Sequence, residues 1–108
     1  MFSKNKYNAK RFLGYDSKKE SRRATELKIL EKSGLISDLK EQVPYELLEP
    51  FTYEGKKIKG IKYIADFQYI ENGQLIVEDV KGFKTQSYKL KKKLLLYKYG
   101  NKIIFKET

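Results

Sequence analysis

The feature that most constrains the fold of this chain is the dipeptide Asn72-Gly73, which lies between two runs rich in β-branched and aromatic residues. Asn-Gly is the strongest short signal for a two-residue hairpin turn, because a type I′ turn needs positive φ at both central residues. We therefore predict strands over residues 58–70 and 74–81, joined by this turn. The turn also sets the register, since the numbers of opposed residues must have the same sum as 72 and 73.

This register places Asp66 directly opposite Asp79, with Cβ atoms about 4.5–5.5 Å apart. Like charges at opposed positions destabilise a sheet, and a divalent cation such as Mg²⁺, which prefers carboxylate oxygens, would compensate them. Lys81 shares the face of Asp79, two residues away, whereas Glu78 projects to the other face. A lysine at this place can orient or deprotonate an attacking water and offset charge that develops on a phosphate.

A helix is predicted over residues 17–33, where Ser17 and Glu20 fit a capping box and apolar residues recur at helical spacing. Glu20 lies on the same inward stripe as Ala24 and Leu27, and an inward carboxylate without a partner is costly. Close to a metal ion Glu20 would be a ligand. As a capping residue it needs no further function, and both interpretations stay open at this point.

The remaining periodicities complete a small α/β (α+β) fold with a mixed sheet and the element order α-β-β-β-α-β. The second helix carries Leu90, Leu94 and Tyr97 on its predicted apolar face. At 108 residues we expect a single domain over residues 16–108, preceded by a basic arm over residues 1–15. The other predicted elements are a strand over 43–53, a helix over 87–99 and a strand over 102–106.

The charge balance predicts a polyanionic partner. The chain has 24 Lys and Arg residues against 14 Asp and Glu, a formal net charge of +10. So strong a bias in a small domain is typical of proteins that bind nucleic acid. The residues predicted to contact a DNA backbone are Lys4, Lys6, Lys10, Arg11, Lys84, Lys89, Lys92 and Lys93.

Two absent residue types narrow the chemistry. The chain has no Cys and no His, which excludes disulfides, zinc–thiolate sites and imidazole-based catalysis. Any reaction must depend on carboxylates, lysines, hydroxyls or a metal held by oxygen. The sequence has no apolar run of membrane-spanning length and no signal-peptide pattern, so we expect a cytoplasmic protein without a membrane partner.

Several of these residues resemble a known nuclease signature. Ala65-Asp66, a spacer of 12 residues and then Asp79-Val80-Lys81 resemble the PD-(D/E)XK motif. The predicted element order matches the restriction-endonuclease-like core of that superfamily. Ala65 stands where the motif's name has Pro, and Asp is one of the two residues that the second acidic position allows. The chain is also similar to a family of small phage-borne proteins, to endonuclease I-type Holliday-junction resolvases and to TnsA-type transposon endonucleases.

The resemblance implies a Mg²⁺-dependent endodeoxyribonuclease. The carboxylates of Glu20, Asp66 and Asp79 would hold Mg²⁺ or Mn²⁺, the Val80 carbonyl would complete the metal site, and Lys81 would handle the attacking water. The substrate would be branched DNA formed in phage recombination or replication, in the cytoplasm of the bacterial host. Because a four-way junction must be cut on two strands, we expect a homodimer, with recombination or replication proteins as further partners.

Other interpretations remain open from the sequence alone. The chain would serve as a DNA-binding module without catalysis, as a nickase subunit of a larger recombination complex, or as a ribosome-associated basic protein. The two aspartates would then be surface acids near compensating lysines, and residues 89–93 a solvated helix face. A register slip of one residue would bring Glu78, instead of its neighbour, to the metal.

Overall fold

The computed structural model describes residues 17–80 and 84–108, which form a four-stranded mixed sheet, a short two-stranded ribbon and two helices. The elements are α1 (Lys18–Lys32), β1 (Ser37–Leu48), β2 (Phe51–Tyr53), β3 (Lys56–Ile58), β4 (Ile61–Glu71), β5 (Gln74–Asp79), α2 (Gln86–Tyr99) and β6 (Ile104–Glu107). The sheet order is β1-β4-β5-β6, with antiparallel pairs except for the parallel pair β5–β6. In the described ranges neither helix has the length and apolarity needed to cross a membrane.

The central hairpin has the predicted turn and register. Asn72 and Gly73 have φ values of 52° and 76°, the left-handed conformation that a type I′ turn requires. The pairs between β4 and β5 run from Glu71–Gln74 to Phe67–Glu78. In each pair the two residue numbers have the same sum as 72 and 73, as predicted. The α/β fold class and the mixed sheet are likewise confirmed.

The predicted single strand over residues 43–53 is wrong. Strand β1 begins earlier, at Ser37, and ends at Leu48, while β2 pairs only with β3 in a separate ribbon. Residues 49–50, which include Pro50, separate the two strands. The predicted strand over 58–70 is interrupted at residues 59–60. Here the chain passes close to β1, and a Cβ at Gly60 would lie 2.4 Å from the Leu48 carbonyl oxygen.

The two helices cover opposite faces of the sheet. Ser17 caps the first turn of α1 through the Glu20 N–H (3.0 Å), and Ala24 and Leu27 are buried against β4 and β5 as predicted. At the other end Gly34, with a φ of 87°, closes a Schellman motif in which the Leu35 N–H donates to the Leu30 carbonyl.

The predicted apolar face of α2 is wrong. Leu90 and Tyr97 are exposed, Tyr97 at 91%, and the fully buried residue is Leu95. Tyr88 and Tyr99 lie on the same stripe as Leu95 and pack in its core cluster. The run Leu94-Leu95-Leu96 offers several equivalent apolar faces, so the packing partners on the sheet, and not the helix period, determine the orientation of α2.

Candidate active site

The side-chain alternation of β4 breaks at Asp66. Ala65 packs in the core under α2, whereas Phe67 packs in the core under α1, although residues two apart in a regular strand share a face. On the neighbouring strand Gln42 lies between the residues paired with these two, and its φ is 53°. The last regular pair of the hairpin is Phe67–Glu78. The β1–β4 pairs on either side keep one register, so β4 changes face here without an inserted residue.

The carboxylates of Asp66 and Asp79 accept from main-chain N–H groups across this break. The Asp66 N–H donates to Asp79 Oδ1 (3.1 Å), and the Val80 N–H donates to Asp66 Oδ2 (2.8 Å). Asp66 is 8% exposed and Asp79 fully buried. Beyond the last ladder pair, these main-chain N–H groups therefore donate to side-chain oxygens instead of to the carbonyl oxygens of the neighbouring strand. The two bonds bring Asp66 and Asp79 close together across the hairpin, and a cation shared by their carboxylates stays a prediction.

Glu20 reaches the same region from α1. Its side chain is 4% exposed, and Oε2 accepts from Gln42 Nε2 at 3.1 Å. Because Gln42 occupies the position of β1 next to Asp66, this bond ties the helix to the strand that borders the aspartate pair. Among residues 17–80 and 84–108, no three acidic side chains form a group that could hold a metal ion. The assignments of Glu20 and of the Val80 carbonyl as ligands stay predictions.

Part of the predicted site lies outside the described residues. The predicted catalytic lysine, Lys81, is one of these residues. The others are the predicted DNA-contacting cations of the arm, Lys4, Lys6, Lys10 and Arg11.

A pocket of about 260 Å³ adjoins the aspartate pair, with Asp79 in its wall. Tyr63 and Tyr88 line it from the sheet and from α2, and Lys62 and Lys91 also line it. Burial raises the pKa of Tyr88, and its hydrogen bond to Glu107 and the charges of the two aspartates raise that pKa further. The Tyr88 hydroxyl therefore keeps its proton, which it donates to Glu107.

Sequence reasoning missed the hydrogen-bond network of Glu78 on the opposite face. Its buried carboxylate accepts from Arg23 Nε (2.6 Å) and Nη2 (3.1 Å), from the Tyr69 hydroxyl (2.6 Å) and from the Thr108 hydroxyl (2.9 Å). Burial alone would raise the pKa of Glu78, but these hydrogen bonds outweigh it and hold the pKa below its ordinary value. The register identifies Tyr69 as a diagonal neighbour, whereas no local signal links Glu78 to Arg23.

The predicted DNA-contacting lysines of α2 lie together with Lys84, which precedes the helix. They line one surface pocket of about 390 Å³ with Tyr88 and Leu96. Glu107 lies among them and forms ion pairs with Lys84 (3.3 Å) and Lys92 (3.2 Å). A hydrogen bond from Tyr88 and these two cations lower the pKa of Glu107 to about 2. The four lysines are Lys84, Lys89, Lys92 and Lys93.

Comparison with known proteins gives a family without an assigned function. No curated protein and no solved structure matches the chain. One family model, described as a protein of unknown function (DUF1064), matches residues 4–106. Because this match spans nearly all of the 108 residues, the chain belongs to the DUF1064 family.

Proposed function

We propose that this protein is a metal-dependent endonuclease that hydrolyses DNA phosphodiester bonds and prefers branched DNA. One observation carries the proposal: Asp66 and Asp79 lie side by side at a break in the central hairpin, each bound to main-chain N–H groups at the break. A fold gains no stability by burying two like charges together. Such pairs are typical of sites where the charges are used.

The donor set suits a hard divalent cation. The carboxylate oxygens of Asp66 and Asp79 would hold Mg²⁺ or Mn²⁺, with Glu20 and the Val80 carbonyl as further predicted ligands. Mg²⁺ keeps several waters, so it does not need a complete cage of protein ligands. Bound there, the ion would polarise the phosphate and lower the pKa of a water.

The chain's own residues would orient the substrate. The pocket beside Asp79 is lined by Lys62 and Lys91, which would attract a phosphate approaching the acidic pair. Lys81, two residues after Asp79 in the sequence, would orient or deprotonate the attacking water. The lysines of α2 would bind the flanking DNA backbone, a contact that positions the duplex without reading its sequence. We further propose a homodimer, because a junction must be cut on two strands.

The proposal is tested by a cleavage assay with four DNA substrates: a four-way junction, a flap, a single strand and a linear duplex. Each is incubated with Mg²⁺, with Mn²⁺ or with EDTA. We expect metal-dependent cleavage, fastest on the branched substrates. Binding to all four DNAs without cleavage of any would favour the DNA-binding module, and cutting of one strand only would favour a nickase subunit.

Metal binding is measured separately, by Mn²⁺ paramagnetic resonance on the DNA-free protein. Asp66→Asn should weaken Mn²⁺ binding, because it removes one negative ligand while its amide oxygen can still accept from the Val80 N–H. Asp38→Asn is the matched control, since Asp38 is exposed and its φ of 53° is a conformation that Asn tolerates. Equal Mn²⁺ affinity in both variants would contradict the assigned site.

A further inference from the structure

A second pocket, of about 480 Å³, lies on the other side of Val80. One wall is a face of α1 that carries Lys19, Arg22 and Arg23, and the opposite wall is the end of β6 with Lys106 and Thr108. Its volume is in the range of pockets that hold small ligands, about 300–1,000 Å³. Neither the metal site nor the lysines of α2 use any of its cations.

The pocket keeps a positive charge after its internal ion pairs are counted. Arg23 is engaged by Glu78 and by Glu26 (3.0 Å), and its bond to Glu78 raises the pKa of Arg23 further above its ordinary value. Glu26 is the one acidic residue in the lining. Within the described ranges Lys19, Arg22 and Lys106 form no ion pair, and all three are exposed.

Val80 joins this pocket to the aspartate pair. It lines the pocket, and its N–H donates to Asp66 Oδ2. The end of β6 is held at the same point, because the Thr108 N–H donates to the Asp79 carbonyl (2.9 Å) and the Thr108 hydroxyl to Glu78. An anion in the pocket would therefore adjoin Val80, the residue whose N–H is bound to Asp66.

We propose that this pocket binds an internal phosphodiester of the same DNA strand, next to the phosphate that is cleaved. This inference rests on the proposed function, because it takes the aspartate pair as the place of the cleaved phosphate. Lys19, Arg22 and Lys106 bind the phosphate, and the Arg23–Glu78 pair holds the wall of α1 against the sheet. The pocket thus sets which linkage reaches the aspartates.

The test couples protein variants to single neutral linkages in DNA. Arg22→Ala/Lys106→Ala is compared with Lys32→Ala/Lys102→Ala, which removes the same charge from exposed sites outside the pocket. Each protein is titrated, in EDTA, with junction DNA carrying one methylphosphonate at successive positions of one strand. In the wild type and the control, one internal position should weaken binding, and in the pocket variant that position should have no effect. Because the pocket binds a single phosphate, the salt dependence of the pocket variant should fall by about 1 in log–log slope.

Three outcomes would overturn the assignment. The first is an identical methylphosphonate profile in the pocket variant and the control. The second is an effect confined to a 5′-terminal phosphate, tested with phosphorylated and unphosphorylated ends, which would mean that the pocket reads strand ends. The third is an equal loss of salt dependence in both variants. Because binding is measured without metal, these outcomes are independent of whether the protein cleaves DNA.

Discussion

At the scale of single residues, Asp79 and Glu78 show how neighbouring acids in one strand take different roles. Asp79 faces the pocket at the break in the hairpin, and Glu78 faces α1 on the other side of the sheet. Each of the two carboxylates is buried. The two carboxylates differ in their hydrogen-bond donors. Asp79 accepts from the main-chain N–H of Asp66, whereas Glu78 accepts from charged and hydroxyl side chains.

Asp79→Asn and Lys81→Ala are expected to abolish cleavage and leave DNA binding nearly unchanged. The asparagine keeps the shape of the side chain and the bond from the Asp66 N–H, but it removes a negative metal ligand. The alanine removes the group proposed to handle the water, at a loss of about 10²–10⁴-fold in rate. Rates are measured on junction DNA and affinities by fluorescence anisotropy, with Asp38→Asn as control. Wild-type cleavage by either variant would contradict the mechanism.

Glu78→Gln is expected to lower the free energy of unfolding by about 2–3 kcal/mol, since it breaks a buried pair with Arg23. It should also change the pH dependence. Glu78 has a lowered pKa in the folded state, so its stabilising effect is complete above the ordinary value of 4.5. This effect is lost as the pH falls from there through the folded-state pKa, because the unfolded chain takes up the proton first.

The measurement is chemical denaturation between pH 7 and the acid limit of the folded state. The wild type should lose more stability below about pH 4.5 than Glu78→Gln does. Glu49→Gln, an exposed substitution of the same kind, is the control and should follow the wild type. Parallel curves for wild type and Glu78→Gln would show that the network does not stabilise the fold in its charged form.

At the scale of elements, α2 has one face on the sheet and one face covered with lysines. The buried stripe through Leu95 turns the lysines toward the surface pocket that also contains Glu107. Glu107 on β6 neutralises part of that charge, and Lys92 Nζ also lies 5.3 Å from the centre of the Phe105 ring. The four lysines are therefore not equivalent as phosphate ligands.

Lys89→Ala/Lys93→Ala should reduce the salt dependence of DNA binding by about 2 in log–log slope. Lys84→Ala/Lys92→Ala removes the same charge but should reduce the slope by less, because these two lysines would have to leave Glu107 to bind a phosphate. Anisotropy titrations over a range of salt concentrations measure both slopes. A larger reduction in the second variant would mean that DNA displaces Glu107 from its ion pairs.

At the scale of the whole molecule, the charge opposes self-association. Two chains together carry a formal +20, twice the charge of one. The sheet nonetheless has a long edge strand, β1, with 12 residues, and an edge strand can pair with a second copy. The other segment predicted to exchange between subunits, the arm over residues 1–15, lies outside the described residues.

We expect junction DNA to complete a homodimer. Sedimentation velocity, with and without a four-way junction, should give two chains per junction in the complex, because the DNA neutralises the repulsion between subunits. The non-cleaving Asp79→Asn variant keeps the substrate intact during the measurement. One chain per junction, together with cleavage of a single strand by the wild type, would replace the resolvase with a nickase subunit.

The sequence by itself determined the features that depend on neighbours along the chain. The Asn72-Gly73 turn and the period of two brought Asp66 and Asp79 together, and the capping residue and inward stripe placed Glu20 on the buried side of α1. These follow from local backbone geometry, which short sequence patterns encode directly.

Only the tertiary structure decided what depends on contacts between distant elements. Arg23 meets Glu78 across 55 positions of the chain, and α2 buries Leu95 instead of Leu90. The break in alternation at Asp66 also has no local sequence signal. It lies where β4 passes from the core under α2 to the core under α1. Packing and long-range charge pairing select among several local patterns of nearly equal energy, so no window of sequence contains the choice.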